Sequence, residues 1–143
     1  MLKTSAVAAG MFLFSGSATA LFNCNDNQNA FPPTPGKFAV HYTSVRDTNT
    51  GKPWIRICTP SSVGDWDQSG VLELDCAAES NTFGTDQTGL NANFVVVNGN
   101  GCNSDSTNLS GASMSYDGEE YDLQNAGSEC GDRDHGITCE WDV

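Results

Sequence analysis

The sequence predicts an all-β protein: a small disulfide-stapled β-sandwich or β-barrel of about six to eight antiparallel strands. Three observations carry this. Short segments alternate in polarity with period two, Gly, Asn, Asp and Pro clusters separate them, and no window of useful length shows a helical stripe. The 6 cysteines of the 143-residue chain supply the staples.

The first residues read as an export signal. Lys3 gives a weak positive start, "AVAAGMFLF" a short apolar run, and Ala18-Thr19-Ala20 a small-residue cleavage site. The run is shorter than the about 20 apolar residues that span a bilayer. The expected organisation is a signal peptide at 1–20, a polar, Pro-rich arm at 21–36 and one β-rich domain at 37–143. Cys24, Cys58, Cys76, Cys102, Cys130 and Cys139 all follow the cleavage site. An even number in a small exported chain implies disulfides. Thiolate metal binding is disfavoured, since no C-x-x-C pair is present.

The elements follow in order. "LFNCNDNQNA" and "FPPTPG" form an extended arm, which Cys24 pins to the body. "KFAVHYTSVR" sets Phe38, Val40 and Tyr42 on one face and Ala39, His41 and Thr43 on the other. "DTNTGK" is a turn, and "PWIRIC" opposes Trp54 and Arg56 to Ile55 and Ile57. "VLELDC" alternates as a strand through Leu72, Leu74 and Cys76, and "DCAAESN" allows one helical turn. "NANFVVVN" is a β-branched strand ended by Asn-Gly-Asn-Gly. "ITCEW" places Ile137, Cys139 and Trp141 on one side of a last strand. If "PWIRIC" pairs with "VLELDC", Cys58 and Cys76 stand too far apart to bond, and every other pairing stays open.

One hairpin can be registered by arithmetic. Asp117-Gly118 is a favoured two-residue turn. Folding there opposes Tyr116 to Glu119, Ser115 to Glu120, Met114 to Tyr121, Ser113 to Asp122 and Ala112 to Leu123. One face then collects Ala112, Met114, Tyr116, Tyr121 and Leu123, and a one-residue slip would mix the faces.

The formal net charge is −12. Such a surface repels phosphate backbones and anionic lipid heads, so no nucleic-acid partner is expected; no membrane span is expected either, because no later stretch is apolar enough. The acids Asp117, Glu119, Glu120 and Asp122 read as a solvated edge that discourages sheet-to-sheet pairing.

Catalytic signals are sparse. No G-x-S-x-G elbow occurs. Paired carboxylates, as in a glycosidase, can come from anywhere among 18 acids and point nowhere. His41, Arg56, Glu73 and His135 supply the residue types of a small ribonuclease, with His41 and Glu73 as the acid/base pair. Each has an ordinary alternative: a half-buried strand residue for His41, a surface ion-pair partner for Arg56. No cofactor is implied. "DWDQSGVLELDC" resembles a calcium loop, with Asp65, Asp67 and Ser69 at its first, third and fifth positions and Gly70 at its sixth. Its twelfth position should be a bidentate Glu and is Cys76. The preferred reading is therefore no metal, with an Asx-type turn at Asp65-Trp66-Asp67 that releases into a strand at Gly70. Asn108-Leu109-Ser110 is the glycosylation sequon.

The whole plan resembles the small cysteine-rich secreted proteins of fungi, many of which act as effectors or elicitors on a plant host. A narrower likeness is to the Alternaria major allergen type of β-barrel. Acidic strands and the close late pair Cys130 and Cys139 are similar to it, while the spacing of Cys58, Cys76 and Cys102 departs from it. The resemblance implies a non-enzymatic extracellular protein, acting in a host apoplast, that binds a host protein or carbohydrate through loops rigidified by disulfides. The alternatives are a small secreted hydrolase, ribonuclease- or glycosidase-like, and a structural protein of the cell wall or surface.

Overall fold

The computed structural model describes residues 22–25, 31–46, 50–133 and 136–143. The expected signal peptide at 1–20 and His135 lie outside them. The described residues form an all-β fold, with ten strands in two antiparallel sheets. Sheet A contains β1 (Lys37–Thr43), β2 (Trp54–Pro60), β3 (Trp66–Gln68), β4 (Leu72–Glu73), β9 (Cys130–Arg133) and β10 (Gly136–Asp142). Its order is β3-β2-β1-β10-β9, with β4 also paired to β2. Sheet B has the order β5-β6-β7-β8, from β5 (Ser80–Phe83), β6 (Phe94–Val97), β7 (Ser113–Tyr116) and β8 (Glu119–Asp122). The architecture is a sandwich, not a closed barrel, and the strands outnumber the six to eight expected. The excess comes from two- to four-residue strands that turn residues had hidden.

The inner faces of the two sheets meet in the main core. Sheet A contributes Phe38, Val40, Tyr42, Ile55, Ile57, Ile137 and Trp141, and sheet B contributes Phe94, Val96, Met114 and Tyr116. Phe38 links the layers: its ring stacks on Trp141 at 5.6 Å and meets Tyr116 edge-on at 4.8 Å. Burying one such side chain stabilises the fold by roughly 1.5–3 kcal/mol. The β7–β8 hairpin has the expected register, from Tyr116 opposite Glu119 to Ser113 opposite Asp122. The Leu123 amide donates to the Ala112 carbonyl at 2.9 Å and extends the ladder by one pair.

Sheet A is also covered on its other face. Phe22 and Cys24 pack with Ala39, Trp54, Cys58 and Trp66 in a second apolar cluster. Every residue of β1 after Lys37 is therefore buried, whichever way it points. Alternation normally marks a strand with one wet face; here residues from the arm supply the missing layer.

Several local expectations are corrected. The "VLELDC" strand is confined to Leu72–Glu73, and the chain turns at Asp75, where the Ala78 amide returns to the Asp75 carbonyl at 3.2 Å. Two one-turn helices, α1 (Thr85–Thr88) and α2 (Gly101–Ser104), lie elsewhere than "DCAAESN". Trp66 and Asp67 are not in an Asx turn but in β3, paired with Pro60 and Thr59. The turn lies one step earlier, where Gly64 takes φ +90° and the Ser61 amide donates to the Asp65 carbonyl at 2.8 Å.

The six cysteines form three disulfides: Cys24–Cys58, Cys76–Cys102 and Cys130–Cys139. The first ties the arm to β2, the second ties the Asp75 turn to α2, and the third crosses between directly opposed residues of β9 and β10. Such bonds persist in an oxidising, extracellular-type environment. No helix among the described residues is long and apolar enough to cross a membrane.

Candidate functional site

The structure brings some of the sequence-selected residues together and separates others. His41 and Arg56 are directly opposed on β1 and β2. Both face the arm. His41 is fully buried and Arg56 is 9% exposed, so neither is the half-exposed strand or surface group expected. The Phe22 ring covers the imidazole, and the Phe22 carbonyl accepts a hydrogen bond from the Arg56 guanidinium.

The imidazole Nδ1 lies 3.1 Å from the Thr138 hydroxyl, whereas Nε2 has no hydrogen-bond partner. A neutral ring protonated on Nδ1 uses its one donor and leaves only an acceptor unmatched. A charged ring would bury a second, unmatched donor beside a guanidinium. Burial, and then the Arg56 charge, accordingly hold the His41 pKa near 3, against an ordinary 6.5. At neutral pH the ring is therefore uncharged and closed off from the surface. Glu73 stands opposite Trp54 on the edge strand β4, its carboxylate 3.2 Å from the Lys52 ammonium and 40% exposed. His41 and Arg56 are thus buried beneath Phe22, whereas Glu73 is exposed to solvent.

The calcium-like stretch is spent on the sheet. The Asp65 carboxylate accepts the Ser61 hydroxyl, and the Ser69 hydroxyl donates to Gly70 and accepts from the Ile57 amide. Among the described residues, no three His, Cys, Asp or Glu side chains are grouped to hold a metal ion. Asn108 is exposed, and its side-chain oxygen accepts the Ser110 amide at 3.0 Å within the sequon.

What the sequence did not reveal is a cleft at one end of the sandwich. It has a volume of about 680 Å³ and is walled by Pro35–Lys37, Thr59–Ser62, Gly89–Asn91 and Val143. Three segments and Val143, all far apart in sequence, meet there, so no local pattern signals it. Its lining is prolines, hydroxyls, Leu90 and one cation, Lys37, whose ammonium lies 3.5 Å from Asp142 and 3.8 Å from Glu140.

The β2–β3 loop beside the cleft carries Val63, 83% exposed at its tip. Its base is clamped. Cys24 bonds Cys58 on one strand, and its amide donates to the Gln68 side chain on the other. Asn25 closes both backbone groups of Trp66, donating to its carbonyl at 2.8 Å and accepting its amide at 2.6 Å. An apolar tip is thus displayed on a hairpin that two consecutive arm residues hold rigid.

In comparisons with known proteins, no family model, no curated protein and no solved structure matches the chain.

Proposed function

We propose that the protein is an exported, non-enzymatic host-interaction protein of the effector or elicitor type, and that it binds a protein target through the cleft and the Val63 loop. The observation that carries this reading is the clamped β2–β3 hairpin. An exposed valine alone is ordinary. A valine raised on a loop whose base is fixed by a disulfide and the Asn25 clasp, beside a cleft of mostly uncharged lining, offers a preorganised contact that loses little entropy on binding.

A protein target is favoured over a carbohydrate. Sugar rings pack their C–H faces on exposed aromatic platforms, and none of Trp54, Trp66 and Trp141 is more than 4% exposed. The buried state of His41 supports the non-enzymatic half of the reading.

The test is infiltration of purified, oxidised protein into candidate host tissue, beside a reduced and alkylated sample and a Val63→Asp variant. The oxidised protein should elicit a response or capture a partner, alkylation should abolish it, and Val63→Asp should weaken it about tenfold. No response and no partner across hosts, or full activity of the alkylated chain, would overturn the reading.

A further inference from the structure

We propose that the free edge of β5 is a strand-addition site for an extended, basic segment of a partner protein, which would join sheet B as a fifth strand. This is independent of the cleft. Every open sheet edge presents unpaired amides and carbonyls, and folded proteins normally blunt them with charge, covering segments or interruptions. Three of the four edges here are blunted. The β8 edge carries Glu119, Glu120 and Asp122 at three of its four positions. The β3/β4 edge is broken into strands of three and two residues, and Asn25 occupies the backbone of Trp66. The β9 edge is a strand of only four residues and carries the exposed Asp132. β5, Ser80-Asn81-Thr82-Phe83, has no charge, no proline and no glycine, and among the described residues it pairs only with β6.

Side-chain geometry favours the addition. Ser80 and Thr82 are exposed on the outer face of sheet B, opposite Val97 and Val95 of β6. An incoming strand with small or β-branched residues would continue those two rows. Asn81 is held from below, donating to the Asp75 carbonyl and accepting the Asp75 amide at 2.8 Å, so the edge is already ordered.

Charge selects the occupant. Glu79 immediately precedes β5 and Asp86 follows it; both are exposed, as is Asp75. A strand with Lys or Arg at its ends is matched to these flanks. A second copy of this chain is not, because antiparallel self-pairing centred between Asn81 and Thr82 would set Glu79 of each copy opposite Gly84 of the other, two residues from its Asp86. The net charge of −12 adds to that repulsion.

The probe is a capped peptide, Lys-Thr-Val-Thr-Val-Thr-Lys, titrated into isotope-labelled oxidised protein and followed by amide shifts and hydrogen exchange. Saturable shifts and slowed exchange are expected at residues 80–83. Methylating every internal peptide nitrogen should abolish them, because main-chain hydrogen bonds carry this mode of recognition. Reversing both flanks with Glu79→Lys and Asp86→Lys should weaken binding about tenfold, as two exposed charge pairs can. Absence of binding at millimolar peptide, equal binding of the methylated peptide, shifts centred on β8, or a dimer protecting residues 80–83 would each overturn the proposal. Wild-type-like chemical shifts elsewhere in the charge-reversed variant separate lost recognition from misfolding.

Discussion

The ring of Phe22 stacks on the ring of His41, with centroids 3.9 Å apart and planes 11° from parallel. This contact spans the arm and the centre of β1, and it makes the stability of the fold pH-dependent. The pKa of His41 is about 3 in the folded chain and 6.5 ordinarily, so between those values the unfolded chain holds a proton that the folded chain does not. Stability from this source is complete above the ordinary pKa, falls as pH drops through the window, and changes no further below the folded pKa. The slope is at most about 1.4 kcal/mol per pH unit. Denaturant unfolding of the wild type should lose stability more steeply than His41→Asn between about pH 6.5 and pH 4. Identical slopes would show that the ring is not held neutral by the fold.

The disulfide that secures Phe22 should matter more to stability than the one at the other edge of the sheet. Cys24–Cys58 closes a separation of 34 residues and Cys130–Cys139 one of 9. Chain-entropy reasoning assigns them about 4 and about 3 kcal/mol. Serine pairs at each site, compared by urea denaturation, should rank in that order. Loss of the first should also restore solvent exchange at Trp54 and Trp66, which the arm covers.

These two predictions concern what was least legible in the sequence. The alternation of β1 correctly separated Phe38, Val40 and Tyr42 from Ala39, His41 and Thr43, but alternation cannot say what lies over the second face. That cover comes from Phe22 and Cys24, joined to sheet A by long-range contacts, so His41 reads as half-buried and Arg56 as a surface group until the arm is in place. Disulfide connectivity was hidden for the same reason, since it follows topology and not spacing. The β7–β8 hairpin was legible in full because its turn chemistry and its polarity period are both local and agree. β3 was missed because the polar residues of "DWDQS" suggested a turn, while the true turn was signalled by Ser61, Ser62 and Gly64 just before.

The Asp117-Gly118 turn offers a local test of that agreement. Both residues have positive φ, 45° and 89°, as a type I′ turn requires. A Cβ built on Gly118 meets nothing within 4 Å, so a substitution there is resisted by the backbone alone. Gly118→Ala should cost about 1 kcal/mol, and Asp117→Asn should be neutral within a few tenths. Equal stability of Gly118→Ala and wild type in thermal unfolding would contradict the turn geometry.

Gly136 presents the opposite case, a glycine required by space and not by φ. It faces Thr43 at the end of the β1–β10 ladder. A Cβ there would run into the backbone carbonyl of Tyr42 and lie 3.1 Å from the His41 ring. Neither neighbour can yield cheaply: the Tyr42 carbonyl belongs to the central strand pair, and His41 is pinned between Phe22 and Thr138. Overpacking of this kind costs typically about 1–3 kcal/mol, and backbone obstruction puts the expected loss for Gly136→Ala at or above the upper end. The strain should also reach the imidazole. Wild-type stability together with an unchanged His41 ring resonance in Gly136→Ala would show that β1 and β10 approach less closely than described, whereas a shifted ring signal with a drop of that size would tie the ladder, the histidine and the arm into one packed unit.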